Sequence, residues 1–267
     1  MLLMPLNKTL IRQIRSLHKA EDRKSHRLFL AEGPKLVAAL LESKWPVREI
    51  FATEAWPGWS EETSLPGDPA VYAVTEAELS RISSLVTPNQ VLAVAVMPPA
   101  TLDWKLLSND LTLVLDGISD PGNLGTILRI ADWFGIRQVI CSRGSVDVFN
   151  PKTVQATMGS VFRVSVLYED LKSFLSDLPA DLPVYGSFPE GPPLHHTKLL
   201  QKGLLLIGSE SHGISEELIP LISQKISISA CAHPGDGSHA ESLNAAVATA
   251  ILCHEFRTRG TAVSPHC

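Results

Sequence analysis

The sequence predicts an α/β protein: a parallel-sheet domain at the C-terminal end, preceded by a smaller α/β domain. Three observations carry this. From residue 111 onward short apolar runs alternate with helix-like segments, the pattern of parallel strands covered on both faces. Glycine-rich loops follow three of those runs, at the strand ends where open α/β sheets bind ligands. The texture also changes across residues 98–110, where two prolines and mixed polarity read as a linker. The expected domains are therefore 1–97 and 111–267.

In the first domain a basic helix is expected over roughly 7–20, with Leu10, Ile11, Ile14 and Leu17 as its core-facing stripe. A second helix starts near Pro34, since proline is tolerated in a first turn. Short strands follow at Glu49–Ala52 and Ala70–Val74. Thr75 and Glu78 form a capping-box pattern that opens another helix. Val91–Val96 is a continuous apolar strand ended by Met97-Pro98-Pro99.

In the second domain Leu111–Leu115 is a buried-type strand. A loop rich in Gly, Asp and Pro leads to a helix from about Leu124 to Phe134, closed by Gly135. Strands are then expected at 138–141, 161–167, 183–187, 204–208 and 225–229. Helices are expected near 151–158, 169–177, 215–222 and 242–257.

Composition narrows the function classes. Apolar residues make up 45% and charged residues 19% of the 267 residues, which suits a sizeable core and argues against bulk disorder. No apolar run reaches the ~18 residues of a membrane helix. Cys141, Cys231, Cys253 and Cys267 are scattered without a CxxC pair, which argues against a disulfide framework or structural zinc and for a reducing, cytoplasmic compartment.

The net charge is −5, but it is unevenly spread. Residues 1–30 carry seven Lys and Arg against two acids, hence +5, leaving −10 for the remainder. Arg12, Arg15, Lys19, Arg23 and Lys24 are the candidate phosphate contacts; a solvated helix face is the other reading of the same cluster. The segment runs without a gap into Glu32-Gly33-Pro34, so it reads as mature protein rather than a transit peptide.

Two nucleotide folds are excluded. The first strand of the second domain leads into Asp116–Gly125, which lacks GxGxxG. Gly208–Gly213 has P-loop glycine spacing but no lysine to reach phosphates.

Three loops hold the chemistry. In the first, Asn123 stands where a helix N-cap is expected, and Arg129 lies six residues on among apolar neighbours, as either an ion-pair member or a functional cation. In the second, Glu210 follows the strand Leu204–Ile207 between glycines; it holds an arginine, a ribose hydroxyl or an amine, or else caps a neighbouring helix. In the third, Ser242 and Asn244 open a small-residue helix.

These residues resemble a known family. Asn123-x-Gly125-x-x-x-Arg129 after a strand, then Ile207-Gly208-Ser209-Glu210-x-x-Gly213, then Ser242-Leu243-Asn244, in this order, are similar to the SpoU (TrmH) family of RNA ribose 2′-O-methyltransferases, within the SPOUT superfamily. The likeness covers 111–258, and Met158–Arg163 resembles the family's intermediate segment. The first hundred residues more loosely resemble a ribosomal-protein-like RNA-binding domain, through Ile14–Leu17, Arg23, Phe29–Gly33 and Gln90–Ala93. Ser229 stands where the family has a proline, and Ala232–His239 reads as an insertion.

The resemblance implies a trefoil-knotted C-terminal domain, an exception to the rule that chains are unknotted. It implies S-adenosylmethionine as cofactor, held by Ser187, Ile207, Gly208, Ser209, Gly213, Ile228 and Leu243. It implies catalysis by Asn123, Arg129, Glu210, Ser242 and Asn244, in a homodimer whose active site lies at the interface. The substrate expected is RNA, with ribosomal RNA favoured over transfer RNA, and no membrane partner.

Three other readings compete. A non-catalytic RNA-binding protein would keep the fold. A serine hydrolase would use Ser211 with Asp236 and His239 or His254. A metal site would use His233, Asp236 and His239; the favoured reading has none.

Overall fold

A computed structural model describes residues 6–58, 67–230 and 242–259. In chain order the elements begin α1 (Lys8–Ser16), α2 (Ala20–His26), β1 (Leu28–Glu32), α3 (Pro34–Glu42), β2 (Val47–Ala52), β3 (Ala70–Ala73), α4 (Glu76–Ile82) and β4 (Val91–Val96). They continue α5 (Trp104–Asn109), β5 (Leu111–Leu115), α6 (Pro121–Trp133), β6 (Gln138–Ser142), α7 (Pro151–Thr157), β7 (Ser165–Glu169), α8 (Leu171–Ser176), β8 (Val184–Pro193), β9 (Gly203–Ile207), β10 (Gln224–Ser227) and α9 (Ala245–Arg259).

The chain forms two compact units. The first comprises Met1–Pro99 together with Asp147–Arg163; the second comprises Ala100–Val146 and Val164–Cys267. The excursion of 147–163 into the first unit departs from the continuous 111–267 domain expected from the sequence. The reason is aromatic packing. Phe149 and Phe162 meet Phe29 of β1 at ring-centroid distances of 4.8 and 6.4 Å, and Trp45 stands edge-on to Phe162 at 5.3 Å. Rings of this size dominate a small core through the apolar area they bury.

The first unit is built on a four-stranded sheet of order β1-β4-β2-β3, antiparallel except between β2 and β3. Ile11, Ile14 and Leu17 pack on one face with Phe51, Leu79 and Leu92. The capping box at Thr75 forms: Glu78 N donates to Thr75 Oγ1 while Glu78 Oε2 accepts from Thr75 N.

The basic segment is two helices rather than one over 7–20. Asn7 caps α1 by accepting from Leu10 N at 2.9 Å, and Lys19 is extended before α2 begins. Arg23 explains the break. Its Nη1 donates to the carbonyls of Leu17 and His18, both at 2.9 Å, consuming acceptors freed at the end of α1. Its Nε and Nη2 reach Asp147 Oδ2 at 3.0 and 2.6 Å, and the side chain is 2% exposed. The expectation that Arg23 contacts RNA phosphate is thereby corrected: it is an internal ion pair. Arg12, Arg15, Lys19 and Lys24 are exposed.

The second unit carries a six-stranded, all-parallel sheet of order β10-β8-β9-β5-β6-β7. From β5 the chain winds outward through β6 to β7. It then returns to the other side, where β9 pairs with β5 in register from Leu111 opposite Gly203 to Leu115 opposite Ile207. The strand order therefore reverses at the β5–β9 pair. Full burial of both strands matches their continuous apolar runs.

Several element boundaries differ from expectation. The 98–110 stretch contains α5, capped by Asp103, which accepts from Lys105 N and Leu106 N. Residues 160–162 make a 3-10 turn, so β7 begins only at Ser165. The segment near 215–222 is also 3-10, over Glu216–Leu221, because Pro220 lacks the amide that a continuing α-helix needs. Among the described residues no helix is long and apolar enough to cross a membrane.

Candidate active site

In open parallel sheets the crevice lies outside the carboxyl ends of the strands where their order reverses. Here that point is the β5–β9 pair, and the loops after both strands meet there. Asp116, directly after β5 and buried, accepts from Ser215 N at 2.8 Å, while its own amide donates to Ile207 O at 2.8 Å. This carboxylate knits the two loops together. It was not among the residues singled out from the sequence, although an acid closing a fully buried, mostly apolar strand is the signal that marks it.

The loop after β9 closes on itself. Gly213 N donates to Ser209 O at 2.8 Å, and Ser209 N donates to Gly213 O at 3.1 Å. The two glycines serve different needs. Gly213 has φ +66°, a left-handed conformation, whereas a Cβ on Gly208 would lie 2.1 Å from the Gly213 carbonyl carbon. The amide and carbonyl of Gly213 are spent within the loop, so its role there is to shape it.

That closure projects Glu210. Its Oε1 accepts from Asn123 Nδ2 at 3.1 Å, from Asn244 Nδ2 at 2.5 Å and from Ala245 N at 3.0 Å. Asn244 Nδ2 also donates to Asn123 Oδ1 at 2.9 Å. Asn244 is the N-cap of α9, its Oδ1 accepting from Ala246 N and Val247 N. Asn123 is not the cap of α6. Asp120 is, accepting from Asn123 N at 2.8 Å, which frees the Asn123 amide for the cluster.

Three of the five residues expected to be catalytic, Asn123, Glu210 and Asn244, are thus brought together. Arg129 and Ser242 are exposed, and among the described residues neither is joined to that cluster by a hydrogen bond or ion pair. Of the roles expected for Glu210, the cap on a neighbouring helix is formed, with Ala245 N at the start of α9 as the donor, and no ion pair to Arg129 is made.

Of the residues expected to hold the cofactor, Ser187 on β8 lies opposite Ile226 of β10, and Ile228 follows β10 directly. Ile207 ends β9, followed by Gly208 and Ser209, and Leu243 beside Asn244 is 45% exposed. They therefore fall within β8 beside the last residues of β10, at the carboxyl ends of β9 and β10, and at the start of α9.

The competing sites fare less well. Ser211 Oγ is 2.8 Å from His212 Nδ1, but both belong to the closed loop, which leads into a 3-10 turn rather than the helix of a nucleophile elbow. His233, Asp236 and His239 lie outside the described residues, and no cluster able to hold a metal occurs among the described ones.

Comparison with known proteins is decisive at this point. The SpoU rRNA Methylase family profile matches residues 110–254, and the MRM3-like substrate binding domain matches residues 8–93. The chain belongs to the SpoU rRNA methylase family.

Among family relatives, the chain is 32% identical over 253 residues to the 23S rRNA (guanosine(2553)-2′-O)-methyltransferase RlmP of Bacillus subtilis, covering 92% of this chain and 95% of the relative. A TrmH-family structure from Porphyromonas gingivalis superposes with a TM-score of 0.82 at 39% identity, covering 96% of this chain and all of that one. An AdoMet-bound rRNA methyltransferase from Sinorhizobium meliloti gives a TM-score of 0.80 at 27% identity, covering 98% of both. The donor set at the strand ends fits such a cofactor. The polar main chain of a tight glycine loop after β9, exposed apolar Leu243 before α9 and half-buried Ile228 after β10 are a combination suited to an adenosine.

Proposed function

We propose that this SpoU-family chain methylates a ribose 2′-hydroxyl in structured ribosomal RNA, with S-adenosylmethionine as methyl donor. The observation that carries the reading is the Asn123–Glu210–Asn244 cluster at the sheet's reversal point, on a chain that matches RNA 2′-O-methyltransferases over nearly its whole length.

Held beside Ser187 of β8 and the ends of β9 and β10, the cofactor would supply an electrophilic methyl group. Ser187 and the main chain of Ile207, Gly208 and Ser209 hold its polar edges, while Ile228 and Leu243 flank the adenine. Gly213 keeps the loop in shape. Glu210, Asn123 and Asn244 fix the start of α9, and with it Leu243 and Ser242, which orients the ribose.

Arg129 cannot serve as a proton acceptor, because a guanidinium stays protonated far above neutral pH. It holds the phosphate beside the target ribose and stabilises the alkoxide character that develops as the hydroxyl oxygen bonds to the transferred methyl group and its proton passes to solvent. RNA is gripped by the first unit through Arg12, Arg15, Lys19 and Lys24. Lys8, Arg12 and Arg15 follow one another at helical spacing along α1 and form one stripe.

The working form is a homodimer with the site at its interface. Val247 and Ile251 are exposed one turn apart on α9, and Trp133 on α6, which packs beside α9, is 86% exposed. A second copy would cover this apolar surface. The trefoil knot of the family and a cytoplasmic location belong to the same reading; the buried free thiols Cys141 and Cys253 suit a reducing compartment.

The test is calorimetric titration with S-adenosylmethionine of the wild type and of Leu243→Arg. Saturable binding to the wild type, abolished in a variant that keeps its circular dichroism, supports the site. Silence of the well-folded wild type, persisting with ribosomal RNA present, overturns it.

A further inference from the structure

Within the first unit a cleft of about 60 Å³ opens between α1 and the sheet. Its floor includes Ile14 and Leu28; its polar rim includes Gln13, His26, Arg48 and Glu49. Consecutive strand residues normally point to opposite faces. Arg48 and Glu49 nevertheless line the same cleft, because β2 shifts register against β4 between Val47 and Glu49, and such irregularities re-aim side chains.

The result is a carboxylate set into an apolar hollow. The Glu49 side chain is 16% exposed, and Arg48 Nε lies 3.5 Å from its Oε1 while the rest of the Arg48 side chain is largely in solvent. Burial pushes the Glu49 carboxyl above its ordinary value, with Arg48 partly offsetting this. Ser16, which also lines the cleft, lies one turn on from Arg12 along α1, so that arginine stands beside the mouth of the cleft.

We infer that this cleft reads one unpaired guanine base of the RNA substrate, with Glu49 accepting from its Watson–Crick edge and Arg48 stacked on its face. Guanine presents two adjacent donors, N1–H and the N2 amino group, which match the two oxygens of a carboxylate. Uracil offers one donor there, and adenine and cytosine present an amino group next to an acceptor that a carboxylate repels. The volume admits the edge of a base rather than a whole nucleoside, and Arg48 is placed to cover the face left outside. Phosphates on either side fall to Arg12 and Arg15, which carry no sequence information.

The inference rests on the proposal that RNA is the substrate. Its test uses the full chain and an eight-uridine RNA, alone or with one central guanosine, adenosine or cytidine, read by fluorescence anisotropy. The guanosine RNA is expected to bind at least about fivefold more tightly than the others, as for a bidentate base contact. In Glu49→Gln, which keeps the side chain's shape, that preference disappears while the salt dependence stays. Gln13→Trp, at the exposed rim, should block the cleft and bring all four RNAs to the level of plain uridine. Equal binding of the four RNAs by the wild type, or a guanosine preference that survives both substitutions, overturns the inference. Titration with S-adenosylmethionine on the same samples separates the two levels: cofactor binding without base preference sinks the cleft alone, whereas loss of both sinks the proposed function as well.

Discussion

Asn244 Nδ2 donates to Glu210 Oε1 at 2.5 Å, and the same oxygen receives the first amide of α9 at 3.0 Å. Helix α9 is therefore positioned by an acid that lies thirty-four residues before Asn244, on a loop closed by Ser209 and Gly213. Glu210→Gln leaves one oxygen to accept but replaces the other with a donor and removes the charge. We expect at least about a tenfold loss of methyl transfer, with S-adenosylmethionine affinity also reduced, because a charged acceptor bond is worth roughly 1.5–3 kcal/mol. Asn244→Ala removes the cap as well and should lower stability by about 1 kcal/mol in urea unfolding.

Gly208 has no room for a side chain. Gly208→Ala places a methyl 2.1–2.3 Å from backbone atoms of Gly213 and Ile214, so the loop must open. Overpacking of this kind costs about 1–3 kcal/mol, and the expected readout is weakened cofactor binding in calorimetry. Gly144→Ala is the control: nothing lies within 4 Å of the added Cβ, and binding should be unchanged.

Arg23 and its basic neighbours should separate cleanly. Breaking a buried ion pair by removing one partner costs about 3–5 kcal/mol, so Arg23→Ala should lower the unfolding midpoint sharply. Arg12→Ala should leave the midpoint nearly unchanged but flatten the dependence of RNA affinity on salt by about one unit of log–log slope. An Arg23→Ala protein with wild-type stability would contradict the internal role.

Cys141 and Cys253 are held as neutral thiols. Burial pushes both up to about 12 from 9.0, Arg257 slightly opposing this at Cys253. In the unfolded chain they ionise near the ordinary value, so between about pH 9 and 12 the folded state binds more protons than the unfolded one. Stability must then fall as pH rises, by up to about 1.4 kcal/mol per pH unit for each thiol. Below pH 9 the two thiols contribute no slope. Thermal unfolding from pH 7 to 10.5, compared with Cys141→Ala/Cys253→Ala, checks this; the double variant should lose less stability on the alkaline side.

Much of the second unit was legible because its strands are buried on both faces and read as apolar runs, unbroken at Leu204–Ile207 and broken only by Thr112 at Leu111–Leu115. The polar cluster was legible residue by residue but not in its wiring. Nothing local in the sequence says that Asp120 rather than Asn123 caps α6, since both are good capping residues three positions apart. Arg23 looked like one more cation in a basic run. Its partner Asp147 lies 124 positions away, and a pairing at that distance leaves no periodic trace. The 3-10 segments were read as strand or α-helix because apolar spacing alone does not separate short elements.

The packing of Phe149 and Phe162 against Phe29 also bears on how the chain is made. Residue 29 leaves the ribosome early, yet two of the rings around it follow about 120 and 133 residues later, so the N-terminal unit cannot complete its core until synthesis has passed residue 162, well inside the methylase sequence. The chain passes between its two units three times, after Pro99, Val146 and Arg163. A single protease cut near residue 99 would therefore leave residues 147–163 of the first unit on the fragment that carries the second. The N-terminal unit is not a module that could be shuffled onto another enzyme by joining gene segments end to end, since part of its core is encoded inside the methylase half.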